Sequence, residues 1–385
     1  MVKTLTAYTE EVDEIEDGIA ELLEQIDLGE LKKNSAGVIV CHCDFVISGF
    51  IAKLRKKLPF DVIGMTTMTS GSCQGFGMYS LTLTVLTSDE LAFETVMSDS
   101  LDADDYRRKI KAAHADATGR LGGDPSLIVA FLPFLKHPNG AEMHHSLDEI
   151  CGGVPVWGGI ATHTDAGFDR SYVFRNEERE KDRMAMLFVR GPLDPEFIVI
   201  SLPSKNIEES RGKITMSDGC VLKEINGIPS IKYLESIGIT IMENAPVTTP
   251  LMVYYEGIPD PVALAIYAVN DDGGVSCGGE VTEGASVAVG EISAKSVIVS
   301  AEEGMERVLN CGKRNGMLLL PCVSRSVMLE PNHDGELKLV SAALQNGAIM
   351  PFMAGYSGGE ICPVRDSAGV LRNRFHNFTF SVCVF

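Results

Sequence analysis

Hydrophobic positions along this chain switch between a period near two and a period near 3.6, which predicts strands and helices in alternation. Residues 3–8 read as a strand. Val12, Ile15, Ile19, Leu22 and Ile26 then recur at spacings of three and four, giving a helix with one buried face that Thr9, Glu10 and Glu11 would open. A strand at 37–41, a helix over 46–58 and a strand at 61–64 follow, and strands at 79–87 and 93–97 lie beyond the glycine-rich stretch 70–77. Asp102 or Asp104 caps a helix carrying Tyr106, Ile110, Ala113 and Ala117, which Gly122 ends. The unbroken apolar run 126–132 predicts a strand covered on both faces. Ser146 and Glu149 have capping-box spacing for a short helix, and strands follow at 154–157, 184–189 and 196–202.

Residues 203–220 are more polar and read as a connection. Beyond them the pattern predicts a strand at 220–225, a turn at Asn226-Gly227 and a helix over 230–237. Strands at 263–269 and 274–277 flank the hairpin signal Asp271-Asp272-Gly273. Ser300 and Glu303 would cap a helix running to Asn310, before a buried strand at 317–321, a helix over 336–345 and strands at 349–353 and 377–384. The expected fold class is α/β, with mixed β-sheets flanked by helices and two related domains, 1–205 and 220–385, joined by a linker at 206–219. One pattern recurs three times: around 61–71, 155–163 and 351–360 a short apolar strand runs into glycine and small hydroxylated residues, which suggests repeated use of one α/β unit.

Composition narrows the function. With 33 Lys+Arg against 53 Asp+Glu the net charge is −20, so there is no basic excess to release counterions from a nucleic-acid backbone. The ten cysteines are scattered, several in apolar runs, with neither disulfide-framework nor zinc-type spacing. Acids occupy the place where a secretory signal would have its apolar region, and no stretch reaches the roughly 18 apolar residues of a membrane span. These features predict a reduced, cytoplasmic protein without a membrane span.

Strand ends rich in glycine and hydroxyls make a ligand edge, because glycine admits close backbone approach and Ser or Thr adds adjustable donors. Neither a P-loop nor a GxGxxG order is present. Gly355-Tyr-Ser-Gly-Gly-Glu-Ile-Cys-Pro363 places Tyr356 and Glu360 beside such backbone, with His376-Asn377 close to the last strand. Glu360 is a candidate for an ammonium group, and Arg325 for a carboxylate; a structural salt bridge fits the same two residues. The eight histidines form no metal set: His144-His145 diverge, and Cys41-His42-Cys43 lacks a second cluster. One axial ligand suffices for haem, which keeps His42, His114, His163 and His376 as candidates.

The chain resembles a two-domain FIST protein, a family of sensory modules, along nearly its whole length. The resemblance rests on Val62-Ile-Gly-Met-Thr-Thr67 and Val154-Pro-Val-Trp-Gly-Gly-Ile-Ala161 in the first part. In the second it rests on Leu222-Lys-Glu-Ile-Asn-Gly227, Leu319-Leu-Pro-Cys-Val-Ser-Arg325, Gly355-Tyr-Ser-Gly-Gly-Glu-Ile361 and His376-Asn-Phe-Thr379. It implies small-ligand sensing, with amino acids the usual ligands and haem in some members, and no established reaction. Where the family continues its first glycine motif with Gly-Glu, this chain has Met68-Thr-Ser-Gly-Ser-Cys73, which removes a charged contact.

The resulting expectation is a small-molecule sensor that is not an enzyme and acts on a separate signalling protein, since no output module follows Phe385. Arg325 holds a carboxylate, Glu360 an ammonium, Tyr356 and Trp157 supply walls, and Thr66, Thr67, Thr162 and Asn377 supply neutral hydrogen bonds. The haem-binding gas sensor is the alternative, and Cys322 activated by His376 ranks last.

Overall fold

The computed structural model describes residues 2–164, 168–203, 207, 211–241, 249–347 and 350–385. Three units of one design follow each other along the chain. The first consists of β1 (Lys3–Thr9), α1 (Ile15–Gln25), β2 (Asn34–Cys41), α2 (Cys43–Ile47), α3 (Phe50–Arg55), β3 (Val62–Thr66), the hairpin β4 (Ser70–Ser72) and β5 (Phe76–Gly77), and β6 (Leu81–Ser88). The second repeats it with β7 (Ala92–Met97), α4 (Tyr106–Leu121), β8 (Leu127–Leu132), α5 (Gly140–Cys151), β9 (Val156–Ile160), the hairpin β10 (Val173–Arg175) and β11 (Glu178–Glu180), and β12 (Ala185–Arg190).

The third unit opens with β13 (Glu196–Ile200) and is interrupted by an inserted antiparallel sheet. That insertion holds β14 (Gly212–Asp218), β15 (Val221–Ile225), β16 (Ile228–Pro229), α6 (Ser230–Ser236), β17 (Leu251–Tyr254), β18 (Val262–Leu264), β19 (Ile266–Val269), β20 (Val275–Cys277) and β21 (Ser286–Val289). The unit then resumes with α7 (Ala294–Asn310), β22 (Met317–Pro321), α8 (Val323–Met328), α9 (Gly335–Gly347), β23 (Phe352–Gly355), the hairpin β24 (Glu360–Arg365) and β25 (Leu371–His376), and β26 (Phe380–Val384).

Within each unit the strand order is the same: β1-β6-β2-β3, β7-β12-β8-β9 and β13-β26-β22-β23. The pairs β2/β3, β8/β9 and β22/β23 are parallel, as a strand-helix-strand crossover requires. The free edge of each sheet is covered by the hairpin of a different unit. β10–β11 lies on β3, β24–β25 on β9 and β4–β5 on β23, so the exchange runs in a closed ring.

Alternation along the strands divides the apolar side chains between two kinds of core. Val38, Val40, Val129, Phe131, Trp157, Leu318 and Leu320 from all three sheets meet in one central cluster. Ile39 and Cys41 face outward under α1, α2 and α3, Ile128 and Ala130 under α4 and α5, and Leu319 and Met317 under α7 and α9. Coverage of both faces explains why β8 and β22 read as unbroken apolar runs.

Several element boundaries differ from the expectation. The helix expected over 46–58 is two short helices, because Gly49 sits in the left-handed region at φ +83°. The capping box of α5 is Asn139 with Glu142, seven residues before the expected Ser146 with Glu149, and α7 is capped by Ser293 with Ser296 rather than by Ser300. The strand expected at 263–269 is split into β18 and β19. Of the expected linker 206–219, residues 212–218 form β14, paired with β15 and β21, while 206 and 208–210 lie outside the described residues, as does Ile349 of the strand expected at 349–353.

Candidate functional site

The three recurring strand-glycine-hydroxyl motifs converge. At the carboxyl end of β3, the Thr67 amide donates to Cys41 O; after β9, the Ala161 amide donates to Leu132 O; after β23, the Ser357 amide donates to Pro321 O. Each is the next rung of its own parallel ladder. The Thr67 and Thr162 hydroxyls both donate to Tyr356 O, at 2.9 and 3.1 Å, and the Thr162 amide donates to Thr66 O. Thr66, Thr67, Thr162, Tyr356 and Glu360 are therefore brought together at one junction, all fully buried.

Glu360 begins β24, opposite Gly159 on one side and His376 on the other. Ser357 Oγ and Thr379 Oγ1 each donate to its carboxyl oxygens at 2.7 Å. Burial nevertheless outweighs these hydrogen bonds and pushes its pKa up to about 8, so the group is mainly protonated at neutral pH. The Tyr356 hydroxyl donates to His333 O, and burial raises its pKa well above the ordinary range. The junction is thus an interlock between units whose polar groups bind one another.

Arg325 does not present a free guanidinium. It is fully buried on α8: Nε and Nη2 bind Glu336, Nη1 donates to Ser201 O and Phe378 O, and Nη2 also reaches Val297 O and Ser300 Oγ. Every donor direction is used, so this side chain clamps α7, α9 and the ends of β13 and β26 instead of a ligand carboxylate. The structural salt bridge left open by the sequence exists, with Glu336 in place of Glu360. Trp157 lies in the central core, and Asn377 binds the insertion, accepting from the Ala265 amide through Oδ1 and donating its own amide to Ala263 O.

Of the candidate histidines, His114 packs edge-on against Phe188, and His376 is buried with Nε2 at 3.0 Å from Cys362 O and its pKa lowered to about 4 by desolvation. His42 and His163 come together with ring centroids 5.5 Å apart. That spacing is too short for a porphyrin between them, since two metal–nitrogen bonds of about 2 Å plus the ring radii exceed it. Burial lowers the His42 pKa. The Cys322 thiol, raised by burial beyond the ordinary thiol range, is poorly suited to act as a nucleophile.

A cleft of about 920 Å³ opens between β13, α7 and the inserted sheet's loop around Asp260. Glu196, Glu303, Glu306, Arg307 and Arg365 line it, and His376 forms part of its wall. Arg307 pairs with Glu303 at 2.8 Å, and Arg365 with Glu196 at 3.5 Å. Sequence reasoning named Glu303 only as part of a helix cap and none of these five charges as a site residue. Glu303 and Arg307 carry an i, i+4 signal on a helix, but that signal ordinarily marks a solvated face, and Arg365 carries none. Among the described residues no helix is long and apolar enough to cross a membrane.

No curated protein matches the chain. A solved structure, the cyanuric acid hydrolase of A. caulinodans, is similar over 66% of this chain and 79% of its own, at 12% identity and a TM-score of 0.31. Family models match residues 35–228 as a FIST N domain and residues 232–363 as a FIST C domain. The chain therefore belongs to the FIST family of small-ligand sensory proteins.

Proposed function

We propose that this protein senses a small zwitterionic metabolite, an amino acid or close analogue, bound in the cleft between the third unit and its inserted sheet, and passes the signal to a separate protein. The observation that carries this reading is the cleft itself: its volume suits a small ligand, and it exposes both signs of charge on facing elements. Arg307 and Arg365 are each about half exposed, so both can exchange a partner for a ligand carboxylate, while Glu306 and Glu196 receive the ammonium. Because Asp260 of the insertion also lines the cleft, a ligand that meets both Asp260 and these third-unit charges favours the arrangement that holds both by its differential affinity, and a partner reads that shift.

Isothermal titration of the full chain with the individual amino acids tests the proposal. At least one should bind, and Arg365→Ala or Arg307→Ala should weaken it tenfold or more while leaving the unfolding midpoint unchanged. Binding that is insensitive to both substitutions, or no binding by any amino acid, refutes this reading.

A further inference from the structure

Away from the cleft, the structure supplies the second cluster that Cys41-His42-Cys43 lacks in the sequence. His42 follows β2 and Cys43 opens α2, while His163 comes two residues after the amide that extends the β8/β9 ladder. The interlock sets this geometry: the Thr162 amide on Thr66 O draws the end of β9 onto the end of β3. All three side chains are buried, and one imidazole nitrogen from each histidine and the Cys43 sulfur lie within 4.8 Å of one another.

We propose that His42, Cys43 and His163 bind a zinc ion, with water or Asp44 in the fourth position. Two imidazoles and a thiolate suit a borderline cation and discriminate against magnesium and calcium, which take oxygen ligands. On a tetrahedral ion with bonds of 2.0–2.3 Å the ligand atoms lie about 3.6 Å apart, so side-chain rotation alone closes the site. Asp44 stands where a supporting carboxylate is needed. Its Oδ2 is 3.3 Å from His42 Nδ1, its Oδ1 is 3.6 Å from Cys43 Sγ, and Arg170 holds Oδ1 at 2.7 Å. For a metal on Nε2, Nδ1 carries the proton and donates it to this carboxylate, in place of the Asp44 amide from which it otherwise accepts at 3.4 Å. Tyr79 packs edge-on over His42 at 4.7 Å and shields the ring. A three-ligand site with an open position can accept a further small ligand, so metal occupancy is an input distinct from the cleft.

The experiment uses the full chain without an affinity tag, stripped by chelator and titrated with zinc in competition with a chromophoric chelator. One equivalent should bind. Cobalt in its place should give a sulfur-to-metal charge-transfer band and the intense visible spectrum of a tetrahedral ion. Cys43→Ser and His163→Ala should weaken zinc at least a hundredfold, and Asp44→Asn, at a more exposed position, about tenfold. Cys73→Ser, at the exposed cysteine, should leave binding unchanged. Should the buried variants fail to fold, the cobalt spectrum of the parent and the Asp44→Asn titration decide the matter. Absence of a stoichiometric site, cobalt spectra without sulfur ligation, or zinc affinity that follows Cys73 and not Cys43 overturns the proposal. Selective binding of copper(I) over zinc overturns the choice of metal.

Discussion

Replacing Glu360 by Gln tests how the junction tolerates a buried acid. The pKa of about 8 lies well above the ordinary 4.5, so the folded chain holds a proton that the unfolded chain releases. For a group raised in this way the stability contribution is fully present below pH 4.5 and is lost as pH rises through 8. At about 1.4 kcal/mol per tenfold step, the loss is ~3 kcal/mol at pH 7 and approaches ~5 kcal/mol above pH 8. Glutamine keeps the shape, accepts from one of the Ser357 and Thr379 hydroxyls and offers its NH2 to the other, but cannot ionise. Urea midpoints for parent and Glu360→Gln at pH 5, 7 and 8.5 should therefore be close at pH 5 and then diverge, with the variant the more stable. His144 and His376, lowered by burial to about 3 and about 4, act in the opposite sense and cost stability as pH falls below 6.5. Both proteins share that term, so it cancels in the difference. A difference that stays flat from pH 5 to 8.5 would mean Glu360 is ionised throughout, and the account of the junction as a neutral interlock would be wrong.

Arg325→Ala leaves Glu336 buried without its partner and should cost about 3–5 kcal/mol in chemical denaturation; a double Arg325→Met, Glu336→Leu variant should recover much of that loss. Recovery no better than the single variant would place the cost elsewhere than in the ion pair. Gly158→Ala puts a Cβ 1.8 Å from Ala130 O on the neighbouring parallel strand, where backbone cannot yield, and should destabilise by ~3 kcal/mol. An unchanged urea midpoint would show that β8 and β9 are not packed as described.

Legibility in the sequence followed the range of the interactions. β8 and β22 could be read because burial on both faces forces an apolar run, and the three strand-glycine-hydroxyl motifs fall on β3, β9 and β23, which occupy the same place in each unit. The hairpin β24–β25 was missed because it carries Pro363, three arginines and buried Asn373 and His376, a composition that resembles a loop until its partner β9 is known. The two expected domains match the FIST N and FIST C models, while the three repeated units were not read because an insertion separates β13 from α7 and hides the third. At the candidate site, the sequence did not reveal which residues partner one another. Arg325 was identified as a charge with work to do, but nothing local reveals Glu336 as its counterion, and His42 and Cys43 lacked a companion because His163 is supplied by another unit.

The ring of exchanged hairpins also sets an order on synthesis. β4–β5 is translated early, yet the strand it covers, β23, comes from the far end of the chain, and β3 stays uncovered until β10 emerges. An uncovered edge is a template for pairing with other chains. The nascent protein thus carries unpaired strand edges through most of its elongation: β4 waits for β23, and the edge of β9 closes only when β24 has followed it out of the ribosome. A stop codon anywhere before residue 352 yields a chain whose first hairpin has no sheet to join.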